Sequence, residues 1–151
     1  MTRKNTGLLL WQVTNRWQSA IRAALKPFEL THVQFVLLAS LTWRAASGEA
    51  ASGPVTRREL ADSATTDRMM TSQVVRALEA RGLVTRSGHP DDRRAILVSV
   101  TPAGIALTNR AIAAVESVDD AFFDQLGTAA TAFHAGLGVL ARQTTRPGRA
   151  D

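Results

Sequence analysis

The chain has 151 residues, 45% of them hydrophobic, and a formal net charge of +5, enough for one domain or two small lobes that share a core. It holds no cysteine, which excludes thiol catalysis, disulfide scaffolding and zinc–thiolate sites. No apolar run approaches the roughly 18 residues of a membrane span, and the opening "MTRKNTGLLLWQVTNRWQ" breaks up at Thr14, Asn15 and Arg16, unlike a signal peptide. The expectation is a cytoplasmic protein with no membrane partner.

Charge is unevenly spread. Of 18 basic residues 16 are Arg, and between Arg57 and Arg94 eight Arg face six acids. From Thr101 to Ala141 the balance reverses, with Arg110 against Glu116, Asp119, Asp120 and Asp124. A basic centre beside an acidic helical region suits a polyanion-binding lobe carried on an association scaffold.

In chain order, Leu10, Val13, Trp17, Ala20 and Ala24 mark an amphipathic helix within residues 7–25 that stops near Pro27. Thr31 and Gln34 stand at capping-box spacing and open a second helix. Val33, Phe35, Val36, Leu37, Leu38 and Leu41 surround that helix, so it should be buried on most sides. "RAASGEAASGP", residues 44–54, reads as a loop.

Thr56 and Glu59 repeat the capping-box spacing and predict a short helix through Ala64. A longer helix follows from about Asp67 to a C′ glycine at Gly82, giving a helix-turn-helix outline. On a wheel Met70, Val74, Ala77 and Leu78 share the protein side, while Arg68, Ser72, Arg76 and Glu79 share the other, with Thr71 and Gln73 at its flanks. Met69 and Met70 read as packing residues. Leu83-Val84 and Ile96–Val100 are short strands around the turn residues Ser87 to Asp91. Thr101-Pro102 starts a helix carrying Ile105, Ile112, Val115, Val118 and Phe122. A last helix has Leu126, Ala130, Phe133, Leu137 and Leu140 in a heptad-like seam, and residues 144–151 read as a disordered tail.

The order helix, helix, "TRRELADSATTDRMMTSQVVRALEARGLVTR", "HPDDRRAILVSVTPAG", then two helices resembles the MarR-type winged helix-turn-helix transcriptional regulators. The similarity runs from about Gly7 to Arg142, and its most specific parts are "LEARGLVTR" and "DDRRAILVSVTPAG". It implies a mainly α fold with a small β-hairpin wing: dimerisation helices in residues 1–30 and 101–143, and a winged DNA-binding region in 31–100. It also implies a homodimer on palindromic double-stranded DNA.

The resemblance assigns Arg94 to a minor groove, where narrow A·T-rich stretches attract Arg, with Asp92 as its orienter and Arg93 on phosphate. The bland alternative is a surface Asp–Arg pair. His89 stands where many relatives carry an acid. Ser72 and Gln73 match positions that touch the major groove. Arg68 and Arg76 read guanine or hold phosphate, with phosphate favoured for Arg76. Thr71 is either a contact or a helix-surface hydroxyl. Thr56 can meet a phosphate at a helix N-terminus.

Related regulators often release DNA when a small aromatic or anionic compound enters a crevice between dimer helices and winged lobe. Trp11, Trp17, His32, Phe35 and Trp43 are the candidates for lining it; core and interface packing is their other reading. No metal or other cofactor is expected, because His32, His89 and His134 lie far apart without ligand spacing. Nothing points to an enzyme: Asp91 and Asp92 lie on a turn between Arg, with no nucleophile–base pair. The reading is therefore a ligand-responsive transcriptional regulator, with a repressor preferred. The alternative is a winged-helix protein-interaction module that no longer binds DNA.

Overall fold

A computed structural model of the protein describes residues 5–47 and 53–142. The chain divides into two compact units at Val118 and Asp119.

In the first unit, helix α1 (Thr6–Leu25) buries Ile21 and Leu25, with Trp17 partly covered. Leu10 and Val13, at the N-terminal end of the stripe read from sequence, are exposed in the single chain, and the buried residues of α1 lie in its last two turns. A single 3-10 turn at Lys26–Phe28 and a left-handed Glu29 (φ 53°) reverse the chain. Helix α2 (His32–Ala46) then begins with the expected reciprocal cap between Thr31 and Gln34. Phe35, Leu37, Leu38 and Leu41 are buried around it, making α2 the central element of the core. It runs on to Ala46, inside the stretch read as a loop; the rest of that stretch, like the expected tail, falls largely outside the described residues.

Strand β1 (Val55–Thr56) was not anticipated, being only two residues long. It pairs antiparallel with β3 (Ile96–Val100), Val55 opposite Val98 and Thr56 opposite Leu97. Thr56 also caps helix α3 (Arg57–Ser63), accepting the Glu59 N–H at 3.1 Å while the Glu59 carboxylate accepts the Thr56 N–H. One residue therefore ends a strand and starts a helix, which fixes α3 against the sheet.

Helix α4 (Arg68–Ala80) is capped by Asp67, whose Oδ1 accepts the N–H groups of Met69 and Met70. It ends at Gly82, whose φ of 71° fits the expected C′ glycine. Strand β2 (Val84–Gly88) pairs with β3 from Val84–Val100 to Gly88–Ile96, giving the order β1-β3-β2. Ser87 and Gly88, read as turn residues, belong to the ladder, so the tip is His89 to Ala95.

Thr101 joins wing to helix α5 (Pro102–Phe123): its hydroxyl accepts the Gly104 N–H and donates to the Gly82 carbonyl at 2.7 Å. Arg81 fastens the end of α4 to the α1–α2 elbow, donating to the carbonyls of Glu29 (2.7 Å) and Phe28 (3.2 Å).

In the second unit the expected single last helix is broken. Leu126 lies in a 3-10 segment (Asp124–Ala129) interrupted at Gly127 (φ 54°, ψ −126°), and α6 covers Ala130–Ala141. Phe123 and Phe133 pack with ring centroids 6.0 Å apart, and Leu137, Val139 and Leu140 remain exposed. No described helix is long and apolar enough to cross a membrane.

Candidate nucleic-acid interface

The turn between α3 and α4 is built from threonines. Thr65 takes a left-handed conformation (φ 53°), and Thr66 Oγ1 lies 2.7 Å from Thr71 Oγ1. Thr71 in turn donates to the Asp67 carbonyl at 2.8 Å. Thr71 is fully buried, so its placement among the DNA-facing residues is corrected: the hydroxyl is occupied inside the protein.

The same observation corrects the wheel. The inner face of α4 is Thr71, Val75 and Leu78, while Met70 is exposed and Met69 is 73% exposed. A threonine whose hydroxyl is satisfied locally can be interior at little cost, and that rotates the face by about one residue, or 100°. Arg68, Gln73 and Arg76 are exposed and Ser72 is half-buried, so all four stand on the outer side.

An open groove of about 910 Å³ lies between the starts of α3 and α4 and the wing. Thr56, Arg57, Arg58, Arg68, Ser72 and Arg94 line it, with Glu59, Asp62 and Asp92 among the acids. The ladder explains the convergence: β1 hydrogen-bonds to β3, which leads out of the wing, so the first turn of α3 cannot part from the hairpin. Arg76 and Arg93 are not among the lining residues.

At the wing tip Asp92 and Arg94 are joined, but not as the sequence suggested. The Asp92 carboxylate accepts the backbone N–H of Arg94 at 2.9 Å and leaves the guanidinium to the solvent side. It orients the chain at Arg94 instead of gripping its charge. His89 supplies a second brace: its Nδ1 accepts the N–H groups of Asp91 (3.0 Å) and Asp92 (3.1 Å). Replacing an acid there therefore preserves an acceptor for the tip, and the internal bonding survives.

Two polar contacts escaped the sequence reading. Arg57 Nη1 donates to Ser72 Oγ at 2.8 Å, linking α3 to the outer face of α4. A signal existed: Arg57 and Arg58 occupy the first helical positions, where the helix dipole disfavours cations. Glu79, placed on the outer face, is held by Arg86 through both carboxylate oxygens. That hydrogen bonding keeps the Glu79 carboxyl below its ordinary range and raises the Arg86 guanidinium.

Of the five residues considered for a ligand crevice, the structure brings Trp17 and His32 together, edge to face at 5.2 Å. Phe35 is buried in the core, whereas Trp11 and Trp43 are 67% and 71% exposed. Trp43 lies eleven residues beyond His32 on α2, about 16 Å along the axis. Among the described residues no three His, Asp or Glu side chains are placed to hold a metal ion.

The family model described as "MarR family" matches residues 30–96. A transcriptional regulator of Bacillus subtilis, YdcH, is 46% identical over 117 residues, covering 78% of this chain and 77% of the relative. The chain belongs to the MarR family. These proteins are winged helix-turn-helix transcriptional regulators, and the matched residues hold α2, α3, α4 and the wing as far as the first residue of β3. A second relative, the HTH-type transcriptional repressor Rv2887 of Mycobacterium tuberculosis, is 32% identical over 75% of this chain and 76% of its own length. Among solved structures, Bordetella bronchiseptica BpsR, whose DNA binding is regulated by 6-hydroxynicotinic acid, aligns with a TM-score of 0.81 and 26% identity. That alignment covers 95% of this MarR-family chain and 98% of BpsR.

Proposed function

We propose that this MarR-family regulator is a homodimeric repressor that binds palindromic operators and leaves them when a small aromatic or anionic compound binds. The groove carries the reading. Four Arg side chains from three elements line it, and the solvent-facing side of α4 adjoins it with Ser72 and Gln73. That combines phosphate-holding charge with side chains able to address base edges. In this reading α4 enters the major groove, Arg94 follows the backbone toward the minor groove, and Arg68, Arg76, Arg93 and Thr56 meet phosphates.

Surface chemistry supports the dimer. Leu8, Leu9, Leu10 and Trp11 on α1 are each at least half exposed, as are Val139 and Leu140 on α6. Apolar surface of this kind is covered by association. A second copy would set two α4 helices about 34 Å apart, one DNA turn. Ligand release is supported by the likeness to BpsR and by the Trp17–His32 contact beside α2.

The test uses duplexes selected by the protein from a randomised library. Arg94→Ala should lower affinity at least about tenfold, the scale of a lost charge-assisted contact, and log affinity should fall with log salt at about 0.9 per phosphate neutralised. A drop below about twofold with a flat salt response would favour the protein-interaction module.

A further inference from the structure

We propose that Met69 is a specificity-determining residue whose side chain packs on the C5-methyl group of a thymine in the major groove and so favours that base. The inference rests on the DNA-binding reading above and goes beyond it by assigning a base contact to a side chain that the sequence pattern placed among the packing residues.

Met69 is the second residue of α4, is 73% exposed, and lines the groove with Arg57, Arg58, Arg68, Ser72 and Arg94. The inner face of the helix is taken by Thr71, Val75 and Leu78, so Met69 faces away from the core. It precedes Ser72 by three residues and Gln73 by four, which puts the three side chains on adjoining turns of one face.

The start of α4 is closed to phosphate. Asp67 Oδ1 accepts the N–H groups of Met69 and Met70 at 2.6 and 3.1 Å, so a carboxylate already stands where an anion would bind. What this end of the helix offers a duplex is side chains, and the first residues of a recognition helix are those that reach base edges. A thioether donates no hydrogen bond and accepts one only weakly, so it gains nothing from a phosphate oxygen. The thymine methyl is the apolar group that base edges present in the major groove. Arg68, Ser72, Gln73 and Arg76 are polar and do not match it, whereas an unbranched, polarisable Met side chain can fold over it. One helical turn advances about 5.4 Å, under two base-pair steps of about 3.4 Å. The thymine should therefore lie within about two base pairs of the bases that Ser72 and Gln73 address.

The experiment exchanges dT for dU, one symmetry-related pair at a time, in a duplex selected by the full-length protein. The exchange deletes the methyl group and keeps the base pairing and O4. Affinities are measured for wild type, Met69→Gln, Met69→Leu and Met70→Gln, with thermal unfolding to confirm that each is folded. In the wild type, one pair of thymines should matter, dU lowering affinity about fourfold per half-site, the worth of one buried methyl group. Met69→Gln keeps the length of the side chain but makes it polar, and should bring the dT/dU ratio at that pair to within about 1.5-fold per half-site. Met69→Leu is apolar again and should hold the ratio at about twofold or more per half-site. Met70 is not among the groove-lining residues, and Met70→Gln should keep the wild-type ratio.

A Met69→Gln protein that weakens on every duplex alike, with the wild-type ratio intact, would make Met69 a backbone-packing residue and overturn the proposal. So would a selected duplex in which no exchange of dT for dU matters, or a ratio lost equally in Met70→Gln. If the wild type selects no duplex, the DNA-binding reading falls as well, and that result is distinct from the others.

Discussion

Arg86 donates from Nε and Nη2 to the two carboxylate oxygens of Glu79, at 3.0 and 2.9 Å, tying the last turn of α4 to β2. A two-point contact fixes the angle between a helix and a strand better than a single ion pair does. The two side chains are still 29% and 37% exposed, so water screens their attraction and geometry is the larger consequence.

The contact predicts an acid-sensitive join. Glu79 in the folded protein titrates below its ordinary 4.5, because Arg86 hydrogen-bonds the carboxylate. Its contribution to stability is therefore complete above that ordinary value and disappears as pH falls through the depressed folded value. Glu79→Gln should unfold at lower temperature than wild type at neutral pH, with the gap closing in acid. Thermal melts of both proteins across that range check it; a gap that stays constant would show that the carboxylate charge does not matter.

The parts of this fold that were legible in the sequence are the local ones. Thr31–Gln34 and Thr56–Glu59 close reciprocal caps over three residues, and Gly82 ends α4, because each depends on neighbours within one turn. What was hidden depends on distant partners. Two-residue β1 exists because β3 offers Val98 and Leu97 as partners. Arg81 binds carbonyls 52 and 53 residues away, and no local pattern announces it. Thr71 misled the wheel because a polar residue was assumed to face out. For the candidate site, the family resemblance singled out Ser72, Gln73, Asp92 and Arg94, which composition alone could not have ranked. It named the pair Asp92–Arg94 but not the atoms: the carboxylate holds a backbone amide.

His89 yields a prediction about the tip. Its Nδ1 receives two backbone N–H groups, a role open only to the neutral imidazole with its proton on Nε2. Removing the acceptor in His89→Ala frees the segment that carries Arg94. Since the tip is exposed, water replaces the lost bonds and the melting temperature should barely move. Affinity for a selected duplex should fall by about 3- to 10-fold, one hydrogen bond's worth. His89→Asn offers a neutral acceptor and should recover affinity to within about twofold. Fluorescence anisotropy on one duplex compares all three; equal affinities would mean that the imidazole does not brace the wing.

The exposed apolar residues of α6 predict the effect of charge on assembly. Leu137 and Leu140 lie three residues apart and both are exposed, so they share one face. Leu137→Asp/Leu140→Asp would bury two carboxylates in any interface covering that face, which is far costlier than leaving them in water. For the proposed homodimer, sedimentation should show a shift from dimer to monomer at equal concentration. Affinity for a palindromic duplex should fall with it, and a half-site duplex should lose less. An unchanged dimer would place the interface elsewhere.

Gly104 gives the last prediction, about why a glycine stands in the first turn of α5. A methyl group there would run into the carbonyl oxygen of Leu83 and approach Val100 Cγ2 to 2.8 Å. The obstacle is backbone, not the flexible end of a side chain, so no rotamer change relieves it. That carbonyl is already engaged by the Thr101 N–H at 3.0 Å, which keeps it in place. Gly104→Ala must therefore push α5 away from the residue that enters β2. Overpacking of this sort costs about 1–3 kcal/mol, a fall of about 3–10 °C in the melting temperature of a chain this size. Because the displaced helix starts directly after β3, the strain reaches the wing, and duplex affinity should weaken even at temperatures where the variant is fully folded. Calorimetry with anisotropy at 10 °C below the midpoint separates the two effects; a variant as stable and as tight-binding as wild type would mean that α5 does not press on Leu83.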